Sequence, residues 1–259
     1  MTADNLIRRF GPGVQGWLDT LPDRVERLTG HWNLQVVRHM AGNTSHTLLC
    51  RRGDTTPVVL KLSPDPAIAV EEYTALRAWH SSPQVVDVLD AALDEGALLL
   101  EGLEPGTPAR DASLPVLVGL LDELHIAPAT EFRPLSERVD FIFDLARRRG
   151  RASASAIDRG HRAAMALADD RVAPRLLHGD LHQYNVLDAG ARGLVAIDPR
   201  PCVGDPAFDA VDFALEGGLA DLDRRISALS AAVDGDRLRA WCTALETFFP
   251  GVAADHPDG

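Results

Sequence analysis

Hydrophobic spacing changes period several times along this chain. Residues 13–30 (GVQGWLDTLPDRVERLTG) read as a leading helical region, which Pro22 either interrupts or restarts as a second helix. From Asn33 the pattern becomes strand-like. Asn33–Met40, Thr47–Cys50 and Pro57–Leu62 are rich in Val, Leu and Thr, with turns at Ala41–Ser45 and at Arg51-Arg52-Gly53-Asp54. Pro66 is well placed in the first turn of a helix that runs through VEEYTALRAW to about His80, and Pro83 stops it. Val85–Ala92 and Ala97–Leu103 then predict another hairpin, turning at Asp94-Glu95-Gly96.

The second half has a different texture. Glu104-Pro105-Gly106-Thr107-Pro108 is a cluster of breakers and a candidate hinge. Beyond it, helices are expected at Leu114–His125, Ser136–Arg149 and Ala156–Ala168. Short strands follow at Arg175–His178, Asn185–Asp188 and Leu194–Ile197, the last two joined by a turn at Ala189–Gly193, and then helices return. The tail, Val252–Gly259, reads as frayed. Sheet first and helices later predicts an α+β protein of two lobes, residues 1–103 and 104–259, with ligands expected in a cleft between lobes.

Composition narrows the function classes. The chain has 259 residues and no apolar run near the roughly 20 needed to span a bilayer. MTADNLIRRF has no signal-peptide core, so a cytoplasmic protein without membrane partners is expected. A net charge of −12 argues against nucleic acid, which calls for clustered Lys and Arg, and is compatible with a cationic ligand. Cys50, Cys202 and Cys242 are scattered and form no C-x-x-C pair, which suggests neither disulfides nor a zinc site.

The informative stretch is LHGDLHQYNVLDAGARGLVAIDPRPCVGDPAFD, Leu177–Asp209. Asp180 and Asn185 are separated as in D-x-x-x-x-N, and Asp198 ends the apolar strand Leu194–Ile197. Phosphoryl transfer needs a carboxylate to orient the nucleophile's proton, and an amide and a second carboxylate to hold Mg²⁺ against the polyphosphate. Asp180, Asn185 and Asp198 fit those roles in order. Two histidines flank the loop's aspartate, so His178, Asp180 and His182 also allow a metal-dependent hydrolase, although the later G-N-H-[ED] element of metallophosphoesterases is missing.

HGDLHQYN followed by IDP and GDPAFD resembles the aminoglycoside phosphotransferase and choline kinase superfamily, which has a protein-kinase-like fold. The resemblance implies Asp180 as catalytic base, Asn185 and Asp198 as Mg²⁺ ligands, and ATP or GTP as donor. With no other His-rich cluster following, His178 and His182 read as supporting residues that hold the loop by hydrogen bonds. Asp205, before Pro206, reads as a helix N-cap. Upstream, Lys61 in Val58-Val59-Leu60-Lys61-Leu62 looks like the strand lysine that reaches the nucleotide phosphates. Its partner is expected to be Glu72, which shares a helix face with Leu76 and Trp79, with Glu71 as the other registry. Gly42, Asn43, Thr44 and Ser45 resemble the loop that covers the phosphates. Backbone groups of Glu101, Gly102 and Leu103 would meet the adenine edge.

More narrowly, GWLDTLPDRV, LKLSPDPA and AIDPRPCVGDPAFD resemble the streptomycin 6-phosphotransferase and hydroxyurea kinase branch. The acceptor implied is a small, cationic molecule such as streptomycin. Hydroxyurea, another metabolite, or a nucleotide-binding module without transfer are the alternatives. Asp209, Asp212, Glu216, Asp221 and Asp223 crowd the region after Asp198, as carboxylates that pair with guanidinium forks or as a solvated helix face.

Overall fold

The computed structural model describes residues 2–40, 44–53, 56–110, 112–128, 132–150 and 152–249. The chain divides into two compact units. The first comprises Met1–Ser81, Val85–Thr107 and Asp188–Ala191, and the second the rest.

The first unit opens with α1 (Thr2–Phe10), α2 (Gln15–Asp19) and α3 (Leu21–His31), with Pro22 in the first turn of α3. Pro22 therefore begins a helix instead of breaking one. The helix α1, which buries Leu6, precedes the stretch expected to be helical. Five strands follow: β1 (Leu34–Met40), β2 (His46–Arg52), β3 (Thr56–Leu62), β4 (Val88–Ala92) and β5 (Ala97–Glu101). They form one antiparallel sheet in the order β1-β2-β3-β5-β4. Between β3 and β4 runs α4 (Pro66–Ala78), capped by Asp65, whose carboxylate accepts from the Ala67 amide at 3.0 Å. Val85 and Val86 are buried but lie outside β4, so the fourth strand is shorter than its apolar run.

The sheet alternates as its period of two requires. Leu48, Cys50, Val58, Leu60, Leu62 and Leu99 pack with Leu28 and Trp32 from the end of α3 into one core. Burying each such leucine contributes about 1.5–3 kcal/mol. Lys61 lies between Leu60 and Leu62, so its side chain leaves from the opposite face, where α4 supplies a partner.

A two-residue strand, β6 (Thr107–Pro108), falls within the breaker cluster. The second unit is built on α5 (Leu114–Leu124), α6 (Leu135–Arg149) and α7 (Ala154–Ala168). Then come the short strands β7 (Arg175–Leu177), β8 (Val186–Asp188), β9 (Leu194–Ala196) and β10 (Cys202–Gly204), followed by α8 (Val211–Leu215), α9 (Leu219–Leu229) and α10 (Gly235–Leu245). β8 and β9 are hydrogen-bonded neighbours, and β7 pairs antiparallel with β10 through Leu177 and Cys202. Leu117, Leu121, Phe143, Phe213 and Trp241 are among its buried side chains. No helix among the described residues is long and apolar enough to cross a membrane.

Candidate active site

In the first unit, Lys61 and Glu72 form a bidentate ion pair, with Nζ 2.7 Å from Oε1 and 2.6 Å from Oε2. The side chains are 9% and 1% exposed. A buried charge is tolerated only when paired, and the strand and helix hold both partners in place. Of the two glutamates considered, it is Glu72 that meets the lysine.

At the end of β5, the Glu101 amide donates to Asp87 O at 3.0 Å and the Gly102 amide to Pro57 O at 3.0 Å. The Glu101 carboxylate accepts from the Asp87 amide at 2.8 Å. Among the described residues the Leu103 amide has no such partner. Ser45 is buried, with Oγ 3.1 Å from Thr47 Oγ1, and Thr44 precedes it at the entry to β2. Gly42 and Asn43 lie outside the described residues.

In the second unit, the loop from His178 to Asn185 leaves β7 and enters β8. Gly179 has φ 75°, and a Cβ there would sit 2.0 Å from Arg200 O, so the turn requires glycine. The loop is hung on Asp209, whose Oδ2 accepts from the His178 amide at 2.7 Å and Oδ1 from the Gly179 amide at 2.9 Å. His125 Nε2 stands 3.5 Å from the same carboxylate. Burial pushes the Asp209 carboxyl up, but the nearby His125 and the Gly179 amide outweigh it and hold the group below its usual range.

Both nitrogens of His178 are committed to backbone: Nδ1 accepts from the Asp180 amide at 3.3 Å, and Nε2 donates to Ile197 O at 2.9 Å. Burial lowers its pKa against the pull of Asp209 and Asp180, so the ring is neutral. The histidine is thus a brace for the loop and has no lone pair left for a metal. His182 Nδ1 accepts from the Tyr184 amide at 3.2 Å, a similar local role. Asp205 caps the turn before α8, accepting from the Ala207 amide at 3.0 Å, while Arg237 Nε at 2.6 Å and Trp241 Nε1 at 2.7 Å take its other oxygen. Its carboxylate is spent on packing α10.

Asp180, Asn185 and Asp198 are drawn together by backbone. Asn185 Nδ2 donates to Asp180 O at 2.9 Å and stands 3.5 Å from Asp180 Oδ2. The Ile197 amide donates to Asn185 O at 2.9 Å, which sets Asp198 beside the loop. Asp198 adopts φ 58°, uncommon for any residue but glycine and of a kind concentrated at functional sites. Its carboxylate lies 3.2 Å from Arg200 Nη2. With Asn185 Nδ2 engaged, the amide oxygen is what remains for a cation. Mg²⁺ is usually held by one or two protein oxygens and completed by phosphate and water. An Asn and Asp pair suits that demand, and no group of three or more His, Cys, Asp or Glu that could hold a metal occurs among the described residues.

The model of the family described as "Aminoglycoside/hydroxyurea antibiotic resistance kinase" matches residues 31–254. The chain belongs to this family. As a member it is a small-molecule phosphotransferase that uses a nucleotide. A streptomycin 6-kinase of Streptomyces glaucescens is 33% identical over 258 residues, covering 92% of this chain and 84% of that one. A hydroxyurea phosphotransferase of Kitasatospora aureofaciens is 34% identical over 255 residues, covering 91% and 74%. Among solved structures, the choline kinase of Streptococcus pneumoniae superposes with a TM-score of 0.67 at 14% identity, covering 93% of each chain, a likeness of fold.

Two features of this kinase's loop were not foreseen from sequence. One is Asp209 as the hook that holds the loop. The other is Arg138 of α6, whose Nη2 donates to Asp180 Oδ1 at 2.7 Å and whose Nε donates to Gly179 O at 2.7 Å. The acidic run also resolves unevenly. Glu216 pairs with Arg225 at 3.0 Å, Asp221 with Arg224 at 2.6 Å and Asp223 with Arg239 at 2.7 Å. Asp212, half-buried, has no side-chain hydrogen bond among the described residues.

Proposed function

We propose that this kinase transfers the γ-phosphate of ATP, with GTP as the other candidate donor, to a hydroxyl of a cationic aminoglycoside-type antibiotic such as streptomycin. The observation that carries the reading is one loop in which a partly exposed carboxylate, Asp180, stands beside Asn185 and the strand-end Asp198. Asp180 accepts the acceptor hydroxyl's proton and aligns its oxygen. Lys61, fixed by Glu72, anchors the α- and β-phosphates, and the Leu103 amide is suited to the adenine edge. Asn185 and Asp198 would hold Mg²⁺, which supplies charge neutralisation on the polyphosphate when bound.

For the acceptor, Asp212 supports a cation. Burial first, then the charges of Asp180, Glu216 and Asp209, push its carboxyl up to about 7, so a cationic ligand would relieve that strain. The hydroxyurea phosphotransferase relative favours a second reading, a small neutral acceptor. Steady-state kcat/KM for streptomycin and for hydroxyurea, with Mg²⁺ and then with EDTA, decides between them. Mg²⁺-dependent consumption of ATP stimulated by streptomycin is expected. Stimulation by hydroxyurea alone would overturn the acceptor, and acceptor-independent hydrolysis would overturn transfer itself.

A further inference from the structure

The Asp180 carboxylate finds little hold within its own loop. The Asp180 side chain is 37% exposed, and its contact with Asn185 Nδ2, at 3.5 Å, is at the limit of a hydrogen bond. A group meant to take a proton in a defined geometry needs a firmer hold, because about 1 Å of misplacement can cost on the order of 10²-fold in rate. Arg138 supplies that hold. Its guanidinium grips the loop twice, at the Gly179 carbonyl and at Asp180 Oδ1, each at 2.7 Å. One planar fork therefore ties the carboxylate to the backbone that carries it, leaving Oδ2 away from the bond. The arginine is 15% exposed and lies over the ring of Phe141, 5.6 Å from its centroid. Its helix is rigidly seated: Leu135, Val139, Phe143 and Ala146 of α6 are buried, and Leu135 fills the space where a Cβ on Gly204 of β10 would fall.

Charge adds to the geometry. Asp180, Asp209 and Glu216 all act on Asp212 in the direction that raises it, and Arg138 is the cation that acts against them. We infer that Arg138 is a positioning residue for phosphoryl transfer: it selects the Asp180 rotamer that presents Oδ2 to the acceptor hydroxyl and offsets the repulsion of the surrounding carboxylates. This inference rests on Asp180 being the base. A lysine at this position would provide a point charge but could not span both acceptors.

The test uses the full-length enzyme and four variants: Arg138→Ala, Arg138→Lys, Asp180→Ala and the double variant Arg138→Ala/Asp180→Ala. Arg138→Ala is expected to lower kcat about 10²-fold with KM for ATP unchanged. Arg138→Lys should recover part of that loss. Methylguanidinium, added to Arg138→Ala, should restore activity in a saturable way and leave the wild type unaffected. In the Asp180→Ala background the arginine substitution should cost nothing further. Wild-type kcat in Arg138→Ala overturns the inference. So does a loss that tracks falling thermal stability, is not rescued by lysine or methylguanidinium, and adds fully to that of Asp180→Ala, because that is what a merely structural arginine would give. If Asp180→Ala itself keeps wild-type kcat, it is the assignment of the base that fails, and the two failures are told apart by that variant alone.

Discussion

Two charged sites of this protein are built in opposite ways. Lys61 and Glu72 sit on a strand and a helix, face each other inside the first unit, and are almost wholly buried. Asp180 sits on an irregular loop of the second unit, is partly exposed, and is held by tethers from elsewhere: Asp209 on the backbone, His178 bracing it against Ile197, and Arg138 on the carboxylate. Regular elements suit an anchor, whose task is to hold one charge in one place. Asp180, proposed as the base, must reach solvent and substrate, so it cannot be packed in, and long-range bonds fix it instead. The contrast suggests that the anchor is coupled to stability and the base to rate alone.

Substituting Asp180 by Asn breaks the comparison at its functional end. The amide keeps the size of the side chain but cannot take a proton, and kcat should fall about 10²–10⁴-fold. Unfolding by urea should change much less than on loss of Lys61, since the group is partly exposed and the loop hangs on Asp209.

At the other end, Lys61→Ala removes the cation from a buried carboxylate. A loss of about 3–5 kcal/mol in urea unfolding is expected, because an uncompensated buried charge is expensive. The double variant Lys61→Met/Glu72→Leu should regain much of that stability while remaining inactive. If Lys61→Ala is as stable as wild type, the pair is not the stability element described here.

A pH-dependent effect concerns Asp212. A folded-state pKa of about 7, above the ordinary aspartate value near 4, means that between those pH values the folded protein keeps a proton the unfolded chain has released. Stability from this group is therefore full at low pH and is lost as pH rises through that window. Asp212→Asn should match wild type near pH 4, gain on it as pH rises, and level off above about 7. Thermal melting across that range reads the effect, and a pH-independent difference would contradict it.

These outcomes also bear on what the sequence could disclose. Lys61 was legible because a lysine amid Val58, Val59, Leu60 and Leu62 needs a partner, and the face shared by Leu76 and Trp79 pointed to Glu72. Asp180 and Asn185 were legible through their spacing. Arg138 was not, since it lies 42 residues upstream of Asp180 and nothing in ERVDFIF signals a tertiary acceptor. The one available hint is an arginine beside the buried stripe of Leu135, Val139 and Phe143. β10 was missed because Pro199, Pro201, Gly204 and Pro206 make its surroundings read as loop, and its strand character comes only from pairing with β7. Pairings and tethers between distant segments leave no period in a sequence, whereas the groups they serve do. The same limit applied to the acids after Asp198, where the arginines of α9 and α10 claim three of the five.

Anchor and base are separable by their effect on ATP binding. Calorimetric titration of ATP in the presence of Mg²⁺, run on Asp180→Asn and Lys61→Ala beside the wild type, measures it directly. Asp180→Asn is predicted to bind ATP as the wild type does while transferring no phosphate, and Lys61→Ala to bind it much more weakly. Equal loss of ATP binding in both variants, or undiminished binding in Lys61→Ala, would contradict the account.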